Sequence, residues 1–202
     1  MMAFAPIILV ATSNTGKLRE FERLLPAGVR IRSLADEDVT LPEETGETFA
    51  ENARIKAMEG ARQSGLLTIA DDSGIAVDAL NGAPGIRSAR FAGEPASDTT
   101  NRAALLLALD GVAESGRTAR FVCCVAIANP EGIVAEAMGV CDGAVGFTER
   151  GSHGFGYDPL FVLPDGRTMA ELTPDEKDAA SHRGKAYQAI LPTLRARLGE
   201  AS

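Results

Sequence analysis

Three stretches of this chain combine carboxylates, lysines and glycines in ways suited to a phosphorylated ligand. The first is Thr12-Ser13-Asn14-Thr15-Gly16-Lys17, between the apolar run at residues 7–11 and an amphipathic segment. Hydroxyls, an amide, a glycine and a lysine at a helix start suit an anion, because the free amides of a first helical turn point outward toward it. The spacing is not that of the P-loop. Leu18 follows Gly16 and Lys17 where that motif has Ser or Thr, and no upstream glycine is present. Ser and Asn also cap helices for purely local reasons, and taken alone the stretch reads as a helix cap.

The second is Asp71-Asp72-Ser73-Gly74, expected as a polar turn at the carboxyl end of the apolar strand at residues 66–70. Open α/β sheets bind ligands at such ends. Adjacent residues of extended chain face opposite sides, so Asp71 and Asp72 should have different jobs. One could bind a metal or take a proton from water while the other anchors the turn; an Asx turn in which both merely cap amides is the alternative. Glu43, Glu44 and Glu47 lie in an acidic, irregular segment at residues 36–47. Hard divalent ions such as Mg2+ favour such oxygens and share them with substrate phosphates, though a solvated acidic loop looks the same. Asn52 and Lys56, four apart, share a helix face beside a stripe of Ala53, Ala57 and Ala61.

The third set lies late in the chain. Phe155 stands between Gly154 and Gly156, followed by Tyr157, Asp158 and Pro159. Flanking glycines would leave its ring open to a nucleobase, and such stacking is worth roughly 1–3 kcal/mol; a ring turned into the core is the alternative. Lys177, Ser181, His182 and Arg183 surround a helix junction. Arg183 could grip a phosphate or base carbonyl and His182 a base edge, against the plain alternative of an exposed His-Arg pair. Adjacency argues against both facing the core as one helical stripe.

The elements that must position these groups follow from periodicity and punctuation. Residues 7–11 predict a buried strand, and Leu18, Phe21, Leu24 and Leu25 a helix stopped by Pro26 and Gly28. Residues 29–34 suggest a second strand. Thr48 and Glu51 form a capping box for a helix reaching about Gln63. Residues 81–98 have the Gly and Pro content of a long loop, and Ser97 or Asp98 caps the helix that follows. Residues 120–140 read as a hairpin around Asn129-Pro130-Glu131-Gly132, a type I turn pattern. Thr173 and Glu176 make another capping box, with Pro174 at the first helical position. A last helix starts near Ser181 and contains Pro192, which should kink it or remove a hydrogen bond. The pattern is α/β with a mixed sheet, in one domain.

At 202 residues, 45% hydrophobic and 24% charged, the chain has the composition of a globular protein with a sizeable core. Its net charge of −8 and lack of a basic stripe argue against a nucleic-acid polymer as partner. The apolar start is too short for a membrane span or signal peptide. Cys123, Cys124 and Cys141, odd in number and mostly within an apolar run, suit reduced, buried thiols. With His153 and His182 the only histidines, a histidine-rich metal site is excluded.

Five segments in order carry a more specific signal: residues 12–21, 41–57, 69–93, 154–161 and 170–186. Together they closely resemble the inosine triphosphate pyrophosphatase family over nearly the whole chain. The resemblance implies an elongated mixed β-sheet flanked by helices, two lobes with a central nucleotide cleft, and a single two-lobed domain over residues 1–202. It implies Mg2+-assisted hydrolysis of ITP, dITP and XTP to the monophosphate and pyrophosphate in a cytoplasmic homodimer. By matching positions, Thr12, Ser13, Asn14, Thr15, Gly16 and Lys17 would line the triphosphate site, with Lys56 reaching it. Glu43 and Asp72 would bind metal, Asp72 would also be the general base acting on water at the α-phosphorus, and Ser73 would contact substrate. Phe155 would stack on the purine beside Gly156, Tyr157 and Asp158, while Lys177, His182 and Arg183 would read the base. Ser13 stands where many relatives have glycine, and His153 has no assigned role. Two rivals are a Maf-like nucleotide pyrophosphatase, disfavoured by the segments around Phe155 and His182, and a regulatory nucleotide binder without turnover, disfavoured by Glu43 and Asp72.

Overall fold

The computed structural model describes residues 5–199. Six strands form one mixed sheet in the order β2-β1-β3-β4-β5-β6, comprising β1 (Ile7–Val10), β2 (Arg30–Arg32), β3 (Leu67–Val77), β4 (Thr118–Asn129), β5 (Gly132–Val145) and β6 (Phe161–Val162). β1 runs parallel to β2 and β3, pairing Ile8 with Ile31 and with Leu67, whereas β6 is antiparallel to β5. The helices are α1 (Thr15–Leu24), α2 (Phe49–Ser64), α3 (Asp98–Ala108), α4 (Pro174–Ala180) and α5 (His182–Leu198).

The strongest local signals are met. The Thr48 hydroxyl accepts the Glu51 N–H at 3.1 Å and the Glu51 carboxylate accepts the Thr48 N–H at 3.2 Å. Thr173 and Glu176 do the same for α4. Asn129 and Gly132 flank the β4–β5 turn, with the Gly132 N–H donating to Asn129 Oδ1. α5 runs on through Pro192. The segment expected as a long loop, residues 81–98, holds a stretch of 3-10 helix at Gly85–Arg90, and another at Asp78–Leu80 just precedes it.

One expectation is corrected. Asp71-Asp72-Ser73-Gly74 is not a turn, since β3 passes straight through it. Polar residues mimic a turn in sequence, but here each aspartate finds a lysine in the fold, so the strand does not need to end.

The chain packs as two compact units. One contains residues up to Asp72, Cys124–Gly139 and the chain from Lys185; the other contains Ser73–Cys123 and Val140–Gly184. In the first unit, Ala53, Ala57 and Ala61 of α2 pack on Ala11, Ala70, Ala126 and Ala128 of the strands. A contact made mostly of alanine, with Cys124, lets helix and sheet approach closely, which brings the polar side chains of the same helix face over β3. The second unit has a larger core built from Ile75, Leu105, Leu109, Phe121, Tyr157, Phe161 and Met169 among others. The three cysteines are buried and form no disulfide.

Candidate active site

The first unit gathers the lysines and carboxylates. Asn14 caps α1, its Oδ1 accepting the Gly16 and Lys17 N–H groups at 2.8 and 3.0 Å. The local cap is therefore real, and those two amides are engaged by it. Ser13 and Thr15 remain exposed, with Thr12 and Gly16 half-buried. Lys17, on the first turn of α1, reaches Asp71 Oδ2 at 3.1 Å.

Asp72 faces the other way, as strand alternation requires. Its Oδ1 lies 3.5 Å from Lys56 Nζ and its Oδ2 accepts a 3.1 Å hydrogen bond from Asn52 Nδ2. Asn52 and Lys56 are four apart on the buried face of α2, the spacing that sets both over one strand position. Lys56 also meets Glu44 Oε1 at 2.6 Å. Burial raises the Asp72 carboxyl above its ordinary range even though Lys56, Lys17 and Asn52 pull it down. Burial likewise penalises the Lys56 ammonium, but Asp72, Asp71 and Glu44 outweigh it and leave its pKa raised. The outcome is a cationic lysine between two carboxylates, one of them unusually basic.

The acidic segment delivers Glu44 to Lys56, while the Glu43 side chain is exposed. Asn52 was visible in the sequence as the face-mate of Lys56, but its bond to Asp72 was not. The aspartate pair leaves open in the sequence which member anchors the chain; Asp71 holds Lys17. Among the described residues no group of three or more His, Cys, Asp or Glu side chains converges as a metal cage. Asp72 and Glu44, which both reach Lys56, are hard oxygen donors of the type Mg2+ takes, one or two carboxylates at a time, with phosphate oxygens and water completing its octahedron.

The second unit gathers the aromatic loop and the SHR segment. Asp158 Oδ2 accepts the Phe155 N–H at 2.8 Å and the Lys177 ammonium at 2.5 Å. Gly154 sits at φ +77°, and a Cβ there would lie 2.0 Å from that same carboxylate oxygen, so the loop closes on Asp158 only because the position is glycine. Lys177 Nζ stands 4.7 Å and the Arg183 guanidinium 5.7 Å from the Phe155 ring centroid, within cation–π range. Arg183 also donates to Ser73 Oγ at 2.8 Å.

Tyr157 is a core residue, its hydroxyl donating to Ser88 O at 2.7 Å; burial raises its phenol pKa. His182 stacks on Phe121 at 4.7 Å between centroids. His182 and Arg183 are both buried, contrary to the alternative of an exposed pair, but they do not share one stripe. They occupy the start of α5, where consecutive side chains diverge to different partners. His153 is exposed.

The sequence model of the Ham1 family matches residues 8–193. The chain belongs to the Ham1 family. A dITP/XTP pyrophosphatase of Exiguobacterium sibiricum is 49% identical over 197 residues, spanning 96% of this chain and 99% of that protein. A dITP/XTP pyrophosphatase of Geobacillus kaustophilus is 52% identical over 182 residues, 89% of each. Among solved structures, a HAM1 protein from Coxiella burnetii superposes with a TM-score of 0.85 at 41% identity, covering 95% of this chain and 99% of its own. The dITP/XTP pyrophosphatase of Mycobacterium abscessus gives 0.72 at 48% identity, covering 92% and 99%. Ham1 membership thus agrees with the family resemblance drawn from the five segments, and the Ham1 structures share the mixed α/β sheet described above.

Proposed function

We propose that this chain is a nucleoside triphosphate pyrophosphatase that cleaves ITP, dITP and XTP to the monophosphate and pyrophosphate. The observation that carries the reading is Asp72, a buried carboxylate of raised pKa held between Lys56 and Asn52. A pure nucleotide binder has no use for a desolvated base beside its phosphate-binding lysines. The curated relatives that bear the name dITP/XTP pyrophosphatase support the substrate class.

In this mechanism Lys17 and Lys56 meet the phosphate oxygens and offset the charge that grows on the pyrophosphate leaving group. Asp72 orients the attacking water and takes its proton, a task helped by burial because a more basic carboxylate is a better acceptor near neutral pH. Asn52 keeps one carboxylate oxygen occupied, so the other side of Asp72 is left to face Lys56 and the water. Asp72 and, because it rather than the exposed Glu43 reaches Lys56, Glu44 would hold Mg2+, which when bound would supply further neutralisation of the phosphate oxygens. Thr12, Ser13, Thr15 and Ser73 contribute hydroxyls to substrate.

At the base end, Phe155 stacks on the purine and the donors of Lys177, His182 and Arg183 meet the 6-oxo group. Adenine presents a 6-amino donor to those donors in place of an acceptor, a mismatch that makes rejection of ATP strong. The two compact units are the lobes of one catalytic domain, and the reading extends to a cytoplasmic homodimer. No helix among the described residues is long and apolar enough to cross a membrane.

The test is incubation with ITP, dITP, XTP and the four common nucleoside triphosphates, with and without Mg2+, measuring pyrophosphate and orthophosphate separately. Pyrophosphate released first, with preference for the 6-oxopurines ITP, dITP and XTP, is expected. Orthophosphate as first product would overturn the reading.

A further inference from the structure

Phe155 is set between two glycines, and this creates a mechanical problem for a stacking residue. Gly154 and Gly156 both have positive φ, +77° and +61°, and glycine backbone has the most conformational freedom to lose on ordering. A ring that must meet a purine face needs its backbone fixed by something outside the loop. Asp158 fixes the N-terminal side by accepting the Phe155 N–H. The C-terminal side is fixed from α3.

Two α3 side chains grip opposite ends of Gly156. Asp98 Oδ2 accepts the Gly156 N–H at 2.7 Å, and Arg102 Nη1 donates to the Gly156 carbonyl at 2.9 Å. The two are four residues apart, hence on one face and one turn apart along the helix. Both bonds are charge-assisted. Arg102 is itself held by Glu149 Oε1, 2.9 Å from its Nε. The helix that carries the pair is anchored in turn. Asn101, buried on the neighbouring face, accepts the Ala92 N–H at 2.9 Å and donates to Ala89 O at 2.9 Å, and Leu105 and Leu109 sit in the core with Tyr157.

We infer that Asp98 and Arg102 are positioning residues for base recognition: they clamp the Gly156 peptide and so hold the Phe155 ring in its stacking pose. Both bonds are to backbone atoms of Gly156. Their effect passes through the backbone of Gly156, and so it falls on affinity for the base and not on chemistry at the α-phosphorus. This rests on the reading above that Phe155 stacks on the purine.

The experiment is steady-state hydrolysis of ITP by Phe155→Ala, by the pair Asp98→Ala/Arg102→Ala, and by the triple combination. Folding is checked by thermal midpoint, and ITP binding is measured calorimetrically without metal. The α3 pair should raise KM and the dissociation constant by about tenfold with kcat within about threefold, since lost stacking is a loss of binding shared by ground and transition states. The triple variant should be no worse than Phe155→Ala alone, because the clamp has nothing left to position. Asp98→Asn keeps an acceptor oxygen and, combined with wild-type Arg102, should restore KM to near the wild-type value. If Phe155→Ala raises KM and the α3 pair does not, the clamp inference is overturned while stacking stands. If the α3 pair adds its full effect on top of Phe155→Ala, the two residues act elsewhere and the inference is again overturned. If Phe155→Ala itself leaves KM unchanged, the stacking reading fails and the inference goes with it.

Discussion

Asn52 donates its amide N–H to Asp72 Oδ2 at 3.1 Å while its own Oδ1 accepts the Gly46 N–H at 2.8 Å. The second bond fixes which way the amide faces, so the group presented to Asp72 is a donor. It also ties the acidic segment that bears Glu44 to the helix that bears Lys56. Asn52→Asp reverses the polarity at this point, setting a carboxylate against a carboxylate. On the proposal that Asp72 and Glu44 hold Mg2+, losing a partner of this kind behind a ligand typically costs 10–100-fold. Asn52→Asp should therefore lower kcat by about that factor and raise the Mg2+ concentration needed for half-maximal rate, with KM for ITP little changed. Titrating Mg2+ at saturating ITP checks it; an unchanged Mg2+ dependence would show that Asn52 does not organise the carboxylates.

Asp72→Asn should separate activity from stability. Burial raises the Asp72 carboxyl in the folded chain above its ordinary value. A group raised on folding contributes stability while protonated, below its unfolded pKa, and that contribution is lost as pH rises through the folded pKa. Ionised Asp72 is therefore a cost of the metal-free native state at neutral pH, and Asn, which stays neutral, avoids it. In chelator, the thermal midpoint of Asp72→Asn relative to wild type should rise between pH 4 and pH 8, while turnover is abolished and ITP still binds. A midpoint difference that falls over that interval would contradict the assigned direction.

How much of this could be read from the chain depends on how local the cause is. Thr48 and Glu51, or Asn129 and Gly132, act across three residues, so their spacing alone specifies the cap and the turn. The alanine stripe of α2 is equally legible, because a helix face repeats at fixed intervals. Asp71 and Asp72 are different. Alternation foretold that they would diverge, yet their polarity suggested a turn, and only Lys17 from α1 and Lys56 from α2 explain why β3 continues through them. The acidic segment has no periodicity, so nothing in it distinguished Glu43 from Glu44. The burial of both His182 and Arg183 depends on Phe121 and Ser73, which lie far away in sequence.

Gly184 follows Arg183 for a steric reason. A Cβ at this position would lie 1.8 Å from the carbonyl oxygen of Asp178, which is backbone and cannot swing aside. Gly184→Ala must shift α4 or the first turn of α5, and that turn carries His182 and Arg183. Overpacking of this kind costs about 1–3 kcal/mol. The variant should melt lower and show a higher KM for ITP, with a smaller loss of kcat. Measuring both separates the effects: a lower melting point with wild-type KM would mean that α4 moves and that His182 and Arg183, the proposed base readers, do not.

Arg117 is buried, and it serves the second unit as a hydrogen-bond hub and not as a site residue. Its Nε donates to Val145 O at 2.9 Å, Nη1 to Leu109 O at 3.0 Å and Nη2 to Gly146 O at 3.2 Å, and its guanidinium lies 4.3 Å from the Phe147 ring centroid. A planar fork reaches three carbonyls from different segments at once, which a lysine ammonium cannot do. Arg117→Leu strands those carbonyls at about 1–3 kcal/mol for each that water cannot reach. A total of roughly 2–4 kcal/mol corresponds to a thermal midpoint lower by about 5–15 °C for a chain of this size. Arg117→Lys should fall between the two. Activity at low temperature should stay near wild type in both variants, because none of these contacts of Arg117 involves a residue proposed to meet phosphate or base. Thermal melts with kcat/KM at 20 °C check this, and a variant that loses activity without losing stability would place Arg117 in the catalytic machinery instead.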